Sequence, residues 1–268
     1  MNGATMFQGV KPVSSLVSSM TAPFAYWDFI SGSVPAIKSV DSITPFTAGG
    51  APDYATRAGW VTLDGSDYFT ANTYLDAGLE DLFDIGEGAV LAWYQINVTQ
   101  GVDTATDRII EVGTGASSNW ALYFARSSTA ASGTICTAYP SIAFDADGAS
   151  AGYGVAANVF AVATDIVIAH LIDNRTAAKT VYNYANGVQF STGSLAGKGA
   201  CTFASAPTKR MRFFASAAGS PANIALAAVR RFGIINYGQN LPTNINDVIT
   251  SLTNSNAVPT RELLLSGA

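Results

Sequence analysis

The chain is poor in charged residues, histidine and cysteine. Charged residues make up 12% of its 268 residues, about half the usual share, and the formal net charge is −5. A nucleic-acid-binding protein would need clustered Lys and Arg, so the composition argues against that class. The hydrophobic content of 49% argues against a disordered chain. The length suits one large β domain or two smaller domains.

The scarcity of metal-ligating side chains narrows the chemistry further. The chain has one histidine, His170, and two cysteines, Cys136 and Cys201. A His-rich zinc site is therefore excluded, and no CxxC or HExxH motif is present. The two cysteines could form one disulfide or stay free, and free thiols are favoured because isolated cysteines are usually buried. The sequence does not settle whether the protein resides in an oxidising or a reducing compartment.

Targeting and membrane-spanning segments are not visible in the sequence. The first twenty residues lack an apolar run preceded by positive charge. No apolar stretch reaches the roughly 18 residues that a membrane helix needs. We therefore expect a protein without membrane insertion, either soluble or carried outside as part of an assembly formed inside a cell.

Hydrophobic alternation with a period of two predicts an all-β chain. Strands are predicted over residues 24–30, 59–63, 89–98, 108–112, 120–126, 133–144, 165–173, 180–184, 210–214 and 224–237. Asn186-Gly187 predicts a tight hairpin turn. Residues 89–98 are apolar on both faces, which indicates a central strand. The spacing of strands and turns favours a sandwich of two antiparallel sheets.

A helix is predicted near the C-terminus. The segment 241–252 contains a candidate helix cap, Thr243 or Asn244. Apolar residues at helical spacing follow, namely Ile245, Val248, Ile249 and Leu252. A shorter helical turn is a second candidate, within residues 75–83.

The first 23 residues differ in composition from the rest. They are small and polar, and they lack the periodic apolar pattern of a core element. We interpret residues 1–23 as an N-terminal arm and residues 24–268 as one domain. Val10, Val13 and Val17 could give the arm a short apolar face that contacts a partner.

The order of several motifs resembles a known superfamily. The motifs are YWDF at 26–29, GWVTLDGSDYF at 59–69, GAVLAWY at 88–94, IAHLID with TVYNYANG at 168–187, and RFGIINYG at 231–238. Taken in this order, they resemble the concanavalin A-like lectin/glucanase superfamily in its laminin-G-like form. The resemblance implies a jelly-roll β-sandwich of two antiparallel sheets, with a short C-terminal helix behind an N-terminal arm.

The superfamily includes enzymes, and their catalytic patterns are not matched here. Glucanases need an ExDxxE strand, and no pair among the four Glu residues has that spacing. Alginate lyases need Gln-x-His, whereas Gln95 is followed by Ile96 and Asn97. The sialidase-type Arg triad is not recognisable either. We therefore expect no enzyme activity and no catalytic residue, and we interpret His170 as a buried, hydrogen-bonded histidine rather than a general base.

Aromatic residues at strand ends are candidate glycan contacts. Trp60 and Trp120 begin strands after Gly- and Ser-rich loops, and Tyr139 and Tyr153 flank the loop at 145–148. Aromatic rings stack on sugar faces but more often belong to a core. Two other tryptophans lie in apolar strands and are assigned to the core, Trp27 and Trp93.

No cofactor is expected, with Ca²⁺ as the alternative. Laminin-G-like domains often bind calcium through carboxylates from separate loops, and the resemblance points to Asp64, Asp67 and Asp173. The pair Asp145 and Asp147 precedes a glycine but lacks the later ligands of a calcium loop, so a turn is favoured.

One basic pair is a candidate partner surface. Arg210 and Arg212 share a face of their strand. They form either a plain solvated face or a contact for an acidic partner.

Three classes of function fit these observations. The favoured one is a non-enzymatic virion structural protein of a tailed bacteriophage: a capsid decoration protein, a head fibre or a tail-associated adhesin. The Ala/Gly/Ser/Thr-rich, charge-poor body behind a short arm favours it. Such a protein would assemble in the host cytoplasm, lie on the virion surface as a homo-oligomer, and bind capsid or tail subunits and host glycans. The alternatives are a bacterial glycan-binding module and a polysaccharide-cleaving enzyme.

Overall fold

A computed structural model describes most of the chain between residues 22 and 254. The described residues are 22–29, 37–38, 46–71, 81–98, 106–113, 118–126, 135–143, 150–152, 160–161, 163–199, 210–215 and 226–254. Val10, Val13, Val17, Tyr153 and Cys201 lie outside them, as do the 145–148 loop and most of the predicted arm.

The described elements are strands and one helix. In chain order they are β1 (Phe24–Asp28), β2 (Ile37–Lys38), β3 (Phe46–Gly49), β4 (Val61–Asp64), β5 (Tyr68–Ala71), β6 (Ala89–Val98), β7 (Thr106–Gly113), β8 (Ser118–Arg126), β9 (Ile135–Ala143), β10 (Ser150–Gly152), β11 (Phe160–Ala161), β12 (Ile166–Asp173), β13 (Thr180–Ala185), β14 (Val188–Ser194), β15 (Arg210–Phe213), β16 (Leu226–Gly238) and α1 (Ile245–Asn254). Residues 81–83 also form a helical turn. No helix in this part of the chain is both long and apolar enough to cross a membrane.

The described strands form two antiparallel sheets of eight strands each, which confirms the prediction of two antiparallel sheets. Sheet 1 has the order β14-β13-β12-β6-β16-β1-β2, with β4 also paired to β16. Sheet 2 has the order β10-β9-β8-β7-β15-β5-β3, with β11 also paired to β9. The architecture is a jelly-roll β-sandwich.

Strand β6 lies in the middle of sheet 1, which confirms the prediction from its apolar sequence. It pairs with β12 on one side and β16 on the other. Tyr94 and its alternate neighbours face the other sheet, whereas Leu91 and Trp93 face outward, and all are buried. A strand that is buried on both faces requires a further structural element to cover the outer face of the sheet.

The main core lies between the two sheets and is rich in aromatic rings. Trp27 on β1 is fully enclosed, with its ring centroid 5.1 Å from that of Phe213 and 5.7 Å from that of Phe232. Phe213 belongs to sheet 2 and Phe232 to sheet 1, so these contacts join the two sheets. The assignment of Trp27 to the core is confirmed.

A second core lies on the outer face of sheet 1, under α1. The helix places Val248, Ile249 and Leu252 against Trp93 and its neighbours, so its apolar face is the predicted one. The helix begins at Ile245, directly after the candidate cap Asn244, whose backbone carbonyl accepts the first helical N–H bonds.

The Asn186-Gly187 hairpin is confirmed. Both residues have positive φ, 46° and 79°, as a two-residue hairpin turn requires. Asn186 also exchanges hydrogen bonds with Val167, donating its backbone N–H to the carbonyl and accepting at Oδ1 from the backbone N–H (2.9 Å). The hairpin is thereby anchored to β12.

Candidate functional site

A pocket of about 360 Å³ lies on the outer face of sheet 1, beside the start of α1. We call it the tyrosine pocket; its lining includes Tyr182, Tyr184, Arg175, Gln189 and Asn246. Strands β12, β13 and β14 form its floor, and the segment leading into the helix forms one wall. Its volume is in the range of small-ligand pockets.

The alternation of β13 brings both tyrosines to this side of the sheet. In the sequence TVYNYA, Val181 packs in the main core, while Tyr182 and Tyr184 contact the second core. Tyr182 lies opposite Leu171 of β12 in the register, and Tyr184 lies opposite Gln189 of β14. Period-two geometry therefore places two aromatic rings two residues apart on one surface.

An arginine–aspartate pair closes one side of the tyrosine pocket. Arg175 donates from Nε to Asp173 Oδ1 at 2.9 Å and from Nη2 to Oδ2 at 2.8 Å. The hydrogen bonds with this carboxylate raise the pKa of Arg175. Asp173 is buried, whereas the Arg175 side chain keeps 28% of its surface exposed. The exposed part of the guanidinium can still bind a ligand oxygen.

The opposite wall is set by the first turn of α1. The Tyr184 hydroxyl donates to Asn246 Oδ1 at 3.0 Å, which fixes the helix start to the sheet. Burial raises the pKa of Tyr184, so its phenol stays protonated as a donor. The pocket thus combines aromatic faces with amide, hydroxyl and guanidinium groups that hydrogen-bond neutral polar ligands.

A larger groove of about 1040 Å³ adjoins the tyrosine pocket. Leu241 and Thr243 line both cavities. We call the second one the acidic groove, after Asp81, Asp84 and Glu87 in its lining. Of the described residues that line it, none is basic.

The loop that carries these acidic residues is held by amide side chains. Asn236 Nδ2 donates to the backbone carbonyls of Asp81 (3.0 Å) and Asp84 (2.8 Å). Gln239 Nε2 donates to the carbonyl of Glu87 (2.6 Å). The loop is therefore fixed to the end of β16.

Trp60, one of the candidate glycan contacts at a strand start, is buried. Trp60 is 5% exposed, and the guanidinium carbon of Arg57 lies 3.9 Å from the centroid of its ring. Trp60 is therefore not an open glycan contact, because the turn at 57–60, closed by a backbone hydrogen bond between these two residues, folds Arg57 over the ring. That ring face is not open to solvent.

The other candidate glycan contacts lie in sheet 2 or outside the described residues. Trp120 lies on β8 opposite Val112 and Ile142, and Tyr139 lies on β9 opposite Tyr123. Their side chains are outside the described part of the structure. A glycan contact by these residues stays a prediction.

The solvated face predicted for the basic pair is wrong for Arg212. Arg212 is 4% exposed, donates from Nε to Thr70 Oγ1 at 3.2 Å, and lies 5.7 Å from the ring of Tyr68. Neighbouring strands supply polar and aromatic partners that cover it. Arg210 begins β15 opposite Gly113, and its side chain lies outside the described residues.

The three carboxylates considered for calcium do not come together. The register places Asp64 opposite Leu226 at one end of sheet 1, and Asp173 opposite Ala89 at the other. Asp67 is buried and accepts the backbone N–H groups of Ala51 (2.6 Å) and Asp64 (3.2 Å). In the described ranges, no group of three or more His, Cys, Asp or Glu residues could hold a metal ion.

The tyrosine pocket was not found by the sequence analysis, although one signal was present. Tyr182 and Tyr184 alternate beside an Asn-Gly hairpin, which marks an outer strand pair. Whether that face is open depends on where α1 packs, and the strand sequence does not contain that information. Asn246 reaches the pocket only through this long-range packing.

Comparison with known proteins supports the fold. No protein-family model matches the chain, and no curated protein sequence matches it. Domain 4 of AbnA, a GH43 extracellular arabinanase from Geobacillus stearothermophilus in complex with arabinotriose, is 13% identical with a TM-score of 0.52, over 87% of this chain and 98% of that chain.

Two further solved structures share the architecture. The CBM40 of the Ruminococcus gnavus IT-sialidase is 11% identical with a TM-score of 0.50, over 73% of this chain and 97% of that chain. The botulinum neurotoxin serotype G binding domain is 12% identical with a TM-score of 0.54, over 85% of this chain and 50% of that chain. At these identities, the similarity shows the fold.

Proposed function

We propose that this protein is a non-enzymatic glycan-binding domain whose binding site is the tyrosine pocket. The observation that carries the proposal is the half-buried ring of Tyr182 beside the exposed part of Arg175, in a cavity of about 360 Å³ whose wall includes the buried Tyr184. Aromatic rings pack against the C–H faces of sugars, while the guanidinium and amide groups hydrogen-bond sugar hydroxyls.

The structural neighbours support this class of function. The arabinanase domain has the same fold and was solved with arabinotriose, and the sialidase neighbour is a carbohydrate-binding domain. Neither neighbour identifies the sugar that this chain binds, because a shared fold hosts many ligands.

The proposal is tested with oligosaccharide arrays followed by titration calorimetry. The panel contains arabinan, β-glucan, mannan and chitin oligosaccharides. Tyr182→Ala and Arg175→Ala should each weaken the best-bound glycan at least about tenfold, because they remove a stacking surface and a hydrogen-bond donor.

Matched controls separate the site from general surface effects. Tyr54→Ala removes an exposed tyrosine from outside the pocket, and Arg57→Ala removes another ion-paired arginine. Both should bind as the unmodified protein does. Equal binding by Tyr182→Ala and the unmodified protein would move the site elsewhere, and the absence of binding to every glycan would refute the function.

Display on a virion stays a separate prediction from composition. It is compatible with glycan binding, because a virion surface domain can contact host polysaccharide. The arm that would attach it lies almost entirely outside the described residues. The test is whether the protein sediments with particles at a fixed ratio to a capsid protein, and whether removing residues 2–22 abolishes this.

A further inference from the structure

The Arg175 guanidinium presents hydrogen-bond donors, and no acceptor, to the tyrosine pocket. Its Nε and Nη2 atoms bind the two oxygens of Asp173, at 2.9 and 2.8 Å. Nη1 meets no hydrogen-bond acceptor in the described part of the chain, and 28% of the side chain is exposed. Arginine stays charged and never accepts a hydrogen bond. A ligand group that binds Nη1 must therefore be an acceptor.

The carboxylate beside this guanidinium is already engaged. Asp173 is buried, its Oδ1 accepts from Nε and from the backbone N–H of Arg175, and its Oδ2 accepts from Nη2. A sugar hydroxyl at Nη1 could not donate its own proton to this carboxylate, whereas a carbonyl oxygen has no proton to donate. A ligand carboxylate would bring a second negative charge beside Asp173. A neutral carbonyl is the acceptor that fits this wall best.

The wall leading into α1 adds aliphatic surface to the same pocket. Leu241 and Ile245 both line it. Each is only partly buried where it packs on the second core, so part of its side chain is still exposed. Sugar hydroxyls gain nothing from such a surface, whereas a methyl group is stabilised by leaving water. The wall therefore favours a sugar that carries a methyl group.

Two further polar groups of the pocket can bind an amide N–H. The Gln189 side chain and the Tyr182 hydroxyl both belong to the lining, and neither is hydrogen-bonded within the described residues. Each has an oxygen that can accept. Tyr182 is half-buried, so part of its ring remains exposed for a sugar face. A carbonyl, a methyl group and an amide N–H thus each find a matching group in one cavity.

We propose that the tyrosine pocket recognises the acetamido group of N-acetylated amino sugars. The carbonyl oxygen accepts from Arg175 Nη1, the methyl group packs on Leu241 and Ile245, and the amide N–H donates to Gln189 or Tyr182. An acetamido group combines all three features, whereas a hydroxyl, a carboxylate and an ammonium group each lack the methyl. This inference rests on the proposed function, since it names the class of glycan that the same pocket binds.

The test compares glycans that differ only at this substituent. Chitotetraose and cellotetraose form one pair, and the blood-group A and B trisaccharides form another, with an acetamido group in the first member and a hydroxyl in the second. Chitosan tetraose and a β-1,4-linked glucuronic acid tetraose supply an ammonium and a carboxylate. In titration calorimetry, the tighter-binding acetamido member should exceed its hydroxyl partner and both charged probes at least about tenfold.

Saturation-transfer NMR and variants assign the preference to the pocket. The acetamido methyl protons should receive more saturation from the protein than the sugar ring protons do. Leu241→Ala should reduce this methyl signal, and both Leu241→Ala and Arg175→Ala should lower the preference for the acetamido member to about threefold or less. The matched controls Val188→Ala and Arg57→Ala change residues outside the pocket and should keep the full preference. Thermal melting checks that each variant folds, and Ile245→Ala replaces Leu241→Ala where that variant does not.

The outcomes separate the two hypotheses. Equal binding of both members of each pair overturns the acetamido recognition and leaves the glycan-binding function standing. Tightest binding of the carboxylate probe overturns it as well, because the guanidinium would then bind an anion. An unchanged preference in both pocket variants, or binding of other glycans without any acetamido probe, also contradicts it. Failure of every glycan to bind overturns the recognition together with the proposed function.

Discussion

At the residue scale, His170 shows how a polar side chain is accommodated in the main core. It is fully buried, with Nδ1 2.7 Å from Asn183 Oδ1 and Nε2 3.1 Å from the Tyr94 hydroxyl. An amide oxygen can only accept, so Nδ1 carries the proton and Nε2 accepts from Tyr94. The prediction of a buried, hydrogen-bonded histidine is confirmed, although its partners are side chains rather than backbone groups.

This burial predicts a pH-dependent stability. Burial lowers the pKa of His170 from 6.5 to about 4. Below about pH 6.5 the unfolded chain binds a proton that the folded chain refuses, so the free energy of unfolding should fall between about pH 6.5 and 4. The full loss is about 3 kcal/mol. Urea unfolding at pH 7.5, 6 and 5 measures it.

The control exploits the fact that His170 is the chain's only histidine. His170→Gln removes the titrating group and should give a flat stability profile from pH 7.5 to 5, whatever its absolute stability. An unmodified protein with a flat profile over this range would contradict the burial of a neutral imidazole.

Gly233 gives a second prediction at this scale. A Cβ on Gly233 would lie 2.2 Å from the Trp93 ring, which is held by the second core. Gly233→Ala should therefore lower the free energy of unfolding by about 1–3 kcal/mol through overpacking. Gly199→Ala is the control, since a Cβ there meets no atom within 4 Å. Equal melting temperatures for the two variants would refute the packing of Trp93 across Gly233.

At the element scale, the helix α1 completes the outer face of sheet 1. Val248, Ile249 and Leu252 contact the second core, and Asn246 is bonded to Tyr184 of β13. One helix therefore both covers an apolar surface and forms a wall of the tyrosine pocket. A change in this helix should therefore affect both the stability of the domain and the shape of the tyrosine pocket.

Shortening an apolar side chain of α1 should reveal how much the helix contributes to the free energy of unfolding. Ile249→Ala is expected to reduce the free energy of unfolding by about 2–5 kcal/mol, because it leaves a cavity over the sheet. Ser251→Ala alters an exposed position on the same helix and should change stability by less than about 0.5 kcal/mol. Chemical denaturation compares them, and equal losses would mean that the helix does not pack as described.

The elements differ in how far their sequences define them. Strands such as β6 and the Asn186-Gly187 hairpin were predictable because alternation and turn chemistry are local signals. The cover of the Trp60 ring by Arg57 was not, because it depends on how the turn at 57–60 folds the arginine back over the ring. The tyrosine pocket required the position of α1 on the sheet, which is a contact between distant parts of the chain.

At the scale of the whole molecule, the late strand β16 pairs with strands from the first hundred residues of the chain. This strand of 13 residues pairs with β6 along one side, and with β1 and β4 along the other. Phe24 thereby lies opposite Ile235, more than 200 positions away in the sequence. Such non-local pairing requires large loops to close before contacts compensate for the lost entropy.

We therefore expect slow refolding. The main phase should take milliseconds to seconds or longer, as in other sandwich folds, with later phases from isomerisation among the ten prolines. Stopped-flow tryptophan fluorescence measures it, since Trp27 and Trp93 become buried on folding. A main phase in microseconds would contradict the topology. A prolyl isomerase should accelerate the later phases and leave the main phase unchanged.

The late position of β16 also has a consequence for biosynthesis. About 130 residues separate the end of β6 from the start of β16. At roughly 5–20 residues per second, a ribosome needs about 6–25 s to synthesise them. Throughout that interval the nascent chain carries β6 with one edge lacking its final neighbour, so a trigger-factor-like holdase that shields this edge should raise the yield of native protein during translation.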